Sequence, residues 1–201
     1  MAITTYAELQ TSVKSWLHRA DLDSIIPDFI TLAEARIFRE VRARSMETAL
    51  SDTIASGVIA LPTGYIELKY AYVNRSPVKT LKRREARFIY EKYPTRSGMG
   101  EPRYIAREAS NFIFGPYPDS AYTITGVYYK NIGPLSSSAH ALFTDNPDLY
   151  LWASLAEAEP YMKNDKRIML WETKYKAIKD AVNGLAERED FSGSDLQMTA
   201  Q

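Results

Sequence analysis

The 201-residue chain contains no cysteine. Disulfides and thiolate metal centres are therefore excluded, and stability has to come from packing. Histidine is nearly as scarce: His18 and His140 are the only imidazoles, which leaves histidine-based catalysis few places to sit. No apolar run approaches the roughly 20 residues that span a bilayer, and the opening MAITTYAELQ has neither the basic nor the apolar region of an export signal. No membrane partner is expected, and synthesis in a reducing cytoplasm fits the lack of cysteine. Net charge is lacking too, with 25 Lys and Arg against 25 Asp and Glu, so the strongly basic balance of a dedicated nucleic-acid binder is missing.

Apolar and aromatic residues are plentiful. Hydrophobic residues make up 45% of the chain, enough for a real core in one large domain with an insertion. The charges cancel overall but are unevenly placed. Between Lys79 and Arg107 nine basic residues face only Glu85, Glu91 and Glu101, whereas Asp145 to Asp195 holds eleven acids and seven bases. One end of a copy is thus suited to attract the other end of a neighbour.

The hydrophobic period divides the chain. Thr5 and Glu8 have capping-box spacing, and Tyr6, Leu9, Val13, Trp16 and Leu17 follow at helical intervals. A second helix starts near Pro27, with Ile26, Phe29, Ile30, Ala33, Ile37 and Val41 as its stripe and Arg36, Arg39, Glu40, Arg42 and Arg44 opposite. After about Thr48 the period changes to that of strands. ETALSDTIASGVIALP reads as two short strands around Ser56 and Gly57, and YIELKYAYVN as a third. LKRREARFIYEKY reads as a short helix, and the stretch from Pro102 to Asn131 as three further strands.

Past the Ser-rich GPLSSSAHALFTDN the helical period returns. Asn146, Pro147 and Asp148 mark a helix start, and Leu149, Tyr150, Leu151, Trp152 and Leu155 then crowd among alanines. Ile168, Trp171, Tyr175, Ile178, Val182 and Leu185 recur at helical spacing further on, completing a hairpin that bends near Pro160 and Asn164. The expected fold is α+β: a helical bundle formed by the N- and C-terminal segments, with a small antiparallel β-rich insertion and a flexible C-terminal tail. Its expected boundaries are 1–48 and 133–190 for the helical domain, 49–132 for the insertion, and 191–201 for the tail.

Reactive constellations are sparse. Ser136, Ser137 and Ser138 precede His140, but sequence neighbours rarely make a triad and no G-x-S-x-G elbow exists. Glu157 and Glu159 are two apart on a helix and face different ways, while Asp21 and Asp23 lack the remaining ligand positions of a calcium loop. SGMGEP has glycines without either phosphate-loop pattern. No catalytic residue, metal ligand or cofactor is expected. Lys82, Arg83, Arg84 and Arg87, beside Phe88 and Tyr90, form the best candidate for contact with DNA or another partner, since cations with aromatics can hold phosphates and stack bases. A helix apolar nearly all round must bury more than one face, so Tyr150, Leu151 and Trp152 are candidate subunit-interface residues.

Three stretches taken in order carry a resemblance. They are TTYAELQTSVKSWLHRADLDSIIPDFITLAEARIFREVRARSME, the central LPTGYIELKYAYVN, and TDNPDLYLWASLAEAEPYMKNDKRIMLWETKYKAIKDAVN followed by SGSDLQM. Together they resemble the head-to-tail adaptor, or head-completion connector, proteins of tailed bacteriophages. The resemblance implies a structural virion protein of the neck between capsid and tail, docked beneath the portal protein as a homo-oligomeric ring of twelve copies. Such a ring extends the DNA channel and gives the tail nozzle or tail tube protein its platform. It also implies a C-terminal extension that reaches onto the portal, a role falling here to Phe191, Leu196 and Met198, and it brings no catalytic set. Two other classes stay open: a nucleic-acid-binding module using 79–107, with non-specific contact to genomic DNA as its mildest form, and a small hydrolase.

Overall fold

The computed structural model describes residues 3–19, 21–54, 56–94, 98–162 and 168–191. In chain order the elements are α1 (Tyr6–Leu17), α2 (Ile26–Glu40), a 3-10 turn (Arg44–Met46), β1 (Glu47–Ile54), β2 (Val58–Ala60), β3 (Tyr65–Val73), β4 (Lys79–Thr80), β5 (Lys82–Arg83), α3 (Ala86–Lys92), β6 (Tyr104–Glu108), β7 (Asn111–Gly115) and β8 (Tyr122–Lys130). They continue with α4 (Ala141–Asp145), α5 (Pro147–Glu157), α6 (Glu159–Met162) and α7 (Ile168–Phe191). The chain divides into two compact units, one of Met1–Met46 with Ile132–Gln201 and one of Glu47–Asn131.

In the helical unit the start of α1 follows from its cap. The Glu8 N–H donates to the Thr5 hydroxyl while the Glu8 carboxylate accepts from the Thr5 N–H at 2.9 Å, so two otherwise orphaned donors are satisfied. Leu9, Val13 and Leu17 then point inward. Helix α2 has Pro27 in its first turn and buries Ile26, Phe29, Ile30, Ala33 and Ile37. At the centre is α5, where Leu149, Tyr150, Ala153, Ser154 and Leu155 are fully buried and Leu151 nearly so. The Ser154 hydroxyl satisfies itself by donating to the Tyr150 carbonyl at 2.7 Å. Helices α1, α2, α4, α6 and α7 all pack on α5, and α7 brings Trp171 and Tyr175, both fully buried.

The second unit consists of two four-stranded sheets with the orders β1-β8-β3-β4 and β2-β7-β6-β5. The first is antiparallel throughout its named pairs, while β5 runs parallel to β6. Leu50, Leu68, Val73, Ile105, Phe112, Phe114, Ile124 and Tyr128 share one core drawn from both sheets. On its other face the second sheet is covered by α3, whose Ile89 meets Ala106 and Ile113. Alternation along NFIFG thus serves two cores: Phe112 and Phe114 face the first sheet and Ile113 faces α3.

The expected fold class needs correction. The strands are no small antiparallel insertion: they run from Glu47 to Lys130, form two sheets of four strands each, and include a parallel pair. Nor do the terminal segments make a bundle, because the other helices gather around α5 instead of lining up on a shared stripe. Both departures have local causes. The first residues of LKRREARFIYEKY form the two-residue strand β5, too short to show alternation, and only the rest becomes α3. An irregularity between Leu68 and Tyr70 breaks the register of β3, so Leu68, Ala71 and Val73 are buried and Tyr70 is 48% exposed, where strict alternation pairs Leu68 with Tyr70. Of the expected tail, Phe191 closes α7, and 192–201 lie outside the described residues.

Gly126 has no room for a side chain. It pairs with Leu50 on one side and Ala71 on the other, and a Cβ there would lie 2.3 Å from the Tyr70 carbonyl oxygen and 2.9 Å from the Ala71 Cα. Those are backbone atoms, which cannot swing aside. Gly126→Val is expected to destabilise the sheet unit by about 3 kcal/mol in urea unfolding. An unchanged midpoint would show that the central strands do not approach this closely.

Candidate functional site

The imidazoles are structural in position. His18 ends α1 in the left-handed region at φ 54°, with its N–H donating to the Lys14 carbonyl at 3.1 Å. His140 caps α4, its Nδ1 accepting from the Phe143 N–H at 3.4 Å, while Ser136, Ser137 and Ser138 are exposed. Burial pushes the His140 imidazole below its ordinary value, favouring the neutral ring that can accept this bond. Asp21 pairs with Arg19 and Asp23 with Lys14, each at 2.6 Å, and Glu157 pairs with Arg36 at 3.3 Å. Among the described residues no group of three or more His, Asp or Glu is placed to hold a metal ion, and no helix is long and apolar enough to cross a membrane.

Arg36 is the main electrostatic junction of the helical unit. Its guanidinium donates to both carboxylate oxygens of Glu172, at 2.7 and 3.0 Å, and to Glu40 at 3.2 Å, and it stacks 4.3 Å from the centre of the Tyr175 ring. These contacts raise the Arg36 guanidinium further above its already high value and hold the Glu172 carboxyl below the usual range. Arg36 therefore joins α2, α5 and α7, although it stands on the helix face that the sequence assigned to solvent.

Of the three expected interface residues, Tyr150 and Leu151 lie inside the helical unit, covered by its own helices. Trp152 is half-buried and meets Trp16 edge to face at 5.1 Å, and Trp16 is 43% exposed. The aromatic surface of α5 reaches the exterior at this pair. For the expected portal contact, Leu196 and Met198 lie outside the described residues, and Phe191 is the last residue of α7.

In the sheet unit Lys82, Arg83, Arg84 and Arg87 are all exposed. Arg83 is held by the Leu68 carbonyl at 2.8 Å and Glu67 at 3.3 Å, and Arg87 by Glu91 at 2.6 Å. What the linear run conceals is their company. Strands β5 and β6 set Arg83 and Arg84 beside Arg107, and β3 contributes Tyr65 and Glu67 across a cleft of about 290 Å³ floored by Leu68, Ile105 and Phe112. The Arg84 guanidinium lies 5.4 Å from the centre of the Phe88 ring and that of Arg107 5.5 Å from Tyr65. Lys92 lies 5.0 Å from the centre of the Tyr104 ring and donates to its hydroxyl at 3.2 Å, which lowers that phenol. The sequence signal for Arg107 was faint, since only the β5–β6 pairing brings it to the same rim. Charge is segregated as well: 47–131 carry twelve Lys and Arg against eight Asp and Glu, and the rest of the chain carries thirteen against seventeen.

The described surfaces hold ion-paired carboxylates, capping histidines and arginines over aromatic rings, and the class of protein that the family comparison shows is the bacteriophage adaptor. The chain belongs to the family described as SU10 adaptor protein, whose model matches residues 4–198. That match covers nearly the whole chain and agrees with the resemblance to head-to-tail adaptors carried by its sequence. No curated protein matches it.

One buried acid gives a pH-dependent prediction. Glu34, 5% exposed, accepts the Leu135 N–H at 2.6 Å, and burial lifts its carboxyl above the ordinary 4.5 against the pull of that bond. A carboxyl raised in the folded state contributes stability that is fully present below its unfolded value and is lost as pH rises through the folded one. Glu34→Gln keeps an acceptor and removes the buried charge. The variant is expected to exceed the parent in stability at neutral pH and to lose that advantage below about pH 4, measured by urea unfolding of both proteins across the range. A pH-independent difference would mean that Glu34 titrates as it does in water.

Proposed function

We propose that the chain is a virion subunit that assembles as a ring beneath the portal at the neck between head and tail. Twelve copies would extend the DNA channel and present the platform for the tail nozzle or tail tube. The observation that carries this reading is the family match across residues 4–198, by a family of adaptors. It is supported by the charge segregation, because a closed ring of identical subunits needs two different complementary patches on every copy. The subunit contact is assigned to Trp152 where it meets Trp16, the neighbours Tyr150 and Leu151 acting from inside as its support. Phe191, Leu196 and Met198 are assigned to the portal contact. Contact with genomic DNA through Lys82, Arg83, Arg84 and Arg87 is subordinate, since two of these four already hold carboxylates.

An adaptor works by geometry and has no turnover to measure, so the test is assembly. Particle mass of the purified protein, alone and after mixing with the portal protein of the same virus, is expected to show a defined multi-copy complex. A chain that stays monomeric under both conditions would overturn the ring. Deleting 191–201 is expected to abolish portal attachment while leaving the thermal unfolding of the remainder intact; a truncated chain that still binds portal normally would remove the assigned anchor.

A further inference from the structure

The cleft of the sheet unit has features that its own fold does not explain. Its floor is apolar, with Leu68, Ile105 and Phe112, and its rim is arginine. Among the described residues Glu67 is the single carboxylate in its lining, and it is engaged by Arg83. Among the described residues neither Arg84 nor Arg107 makes an ion pair, and each is steadied over an aromatic ring. Guanidinium groups held in place in this way lose little freedom on binding an anion, and arginine beside tyrosine and phenylalanine is the composition of a protein contact centre, where lysine is depleted. The occupant that fits has a carboxylate next to an apolar or aromatic group.

The helical unit displays such a group. Asp148 in the first turn of α5 is exposed and has no cationic partner among the described residues. Helical spacing places Asp148 one turn from Trp152 on the same side of α5. Trp152 in turn carries the partly exposed Trp16. An acidic aromatic knob therefore stands on the unit with the excess of acids, and a socket of arginines over half-buried aromatic rings on the unit with the excess of bases.

We propose that the cleft rimmed by Arg83, Arg84 and Arg107 is the socket that receives the Asp148 and Trp152 knob of a second copy of this chain. The inference rests on the ring reading and gives it a named contact. One copy's socket takes the next copy's knob, so the interface is heterologous and can close by rotation. Opposite charges steer the encounter, and the half-buried Tyr65 and Phe88 rings beside the arginines offer Trp152 aromatic surface to pack on.

The test is charge reversal with rescue, read as assembled mass in the presence of portal. Arg84→Glu with Arg107→Glu, and separately Asp148→Lys, are each expected to lower the assembled fraction at least tenfold, the arginine variant with unchanged thermal unfolding and the Asp148 variant still folded but less stable for the cation it places at the start of α5. Mixed together the two variants should assemble again, because each reversed socket then meets a reversed knob and each native socket a native knob. Such a mixture closes only in alternation. If the arginine variant assembles as the parent does, or if the mixture fails where each variant is folded, the socket assignment is overturned. If instead the arginine reversal abolishes salt-sensitive binding of duplex DNA and leaves assembly untouched, the cleft serves a polyanion and the inference is equally overturned. A parent chain that never assembles removes the ring and the socket together, whereas an assembling parent with an assembling arginine variant removes the socket alone.

Discussion

Helix α5 is apolar on nearly every side and must be covered on nearly every side. No single neighbouring helix can do that. The chain meets the requirement with α1 and α2 from its first segment and with α4, α6 and α7 from its last, all packed on the same eleven residues. Each fully buried leucine or aromatic ring contributes about 2–3 kcal/mol on leaving water, so a helix with several of them dominates the unit it sits in. The two ends of the chain are drawn together by this need, and the segment from Glu47 to Asn131 is left to form a core of its own. Arg36 then fixes α2 and α7 at the periphery by satisfying carboxylates that would be costly to bury unpaired.

The sheet unit answers a different constraint. Its two sheets share one core, and the chain crosses between them at their edge strands: β1 in the first is followed by β2 in the second, and β4 in the first by β5 in the second, with Leu81 buried between. The second of these changes bears on function. It turns a run of cations from one sheet to the edge of the other, where Arg83 and Arg84 meet Arg107 over an apolar floor. A surface of this kind, arginine beside aromatic rings, has the composition of protein contact centres. In a family of adaptors, surfaces of this kind would act through burial and charge.

Much of this architecture is legible in the chain itself. The capping box of α1, the proline-started α2, the crowded α5 and the three strands after Pro102 all announce themselves through period and turn chemistry, which are local properties. The order of those segments also carries the family, because it is a property of the chain and not of its folding. Less legible are β5, whose two residues show no period, and the irregularity in β3, which reassigns Tyr70 and Ala71 between surface and core. Arg36 looks in sequence like one more solvated cation, since nothing near it in the chain hints at Glu157 or Glu172.

The sequence by itself determined that packing, without disulfide or thiolate metal, must hold the protein, and it marked where helices and strands begin and which helix needed cover on all sides. Only the tertiary structure decided what supplies that cover, how many sheets the strands make, and which cations share a rim. The physical reason is separation along the chain. Caps, periods and turns act over a few residues, whereas the Arg36 pair with Glu172 spans 136 positions, and the cleft exists only once β3, β5 and β6 have been paired.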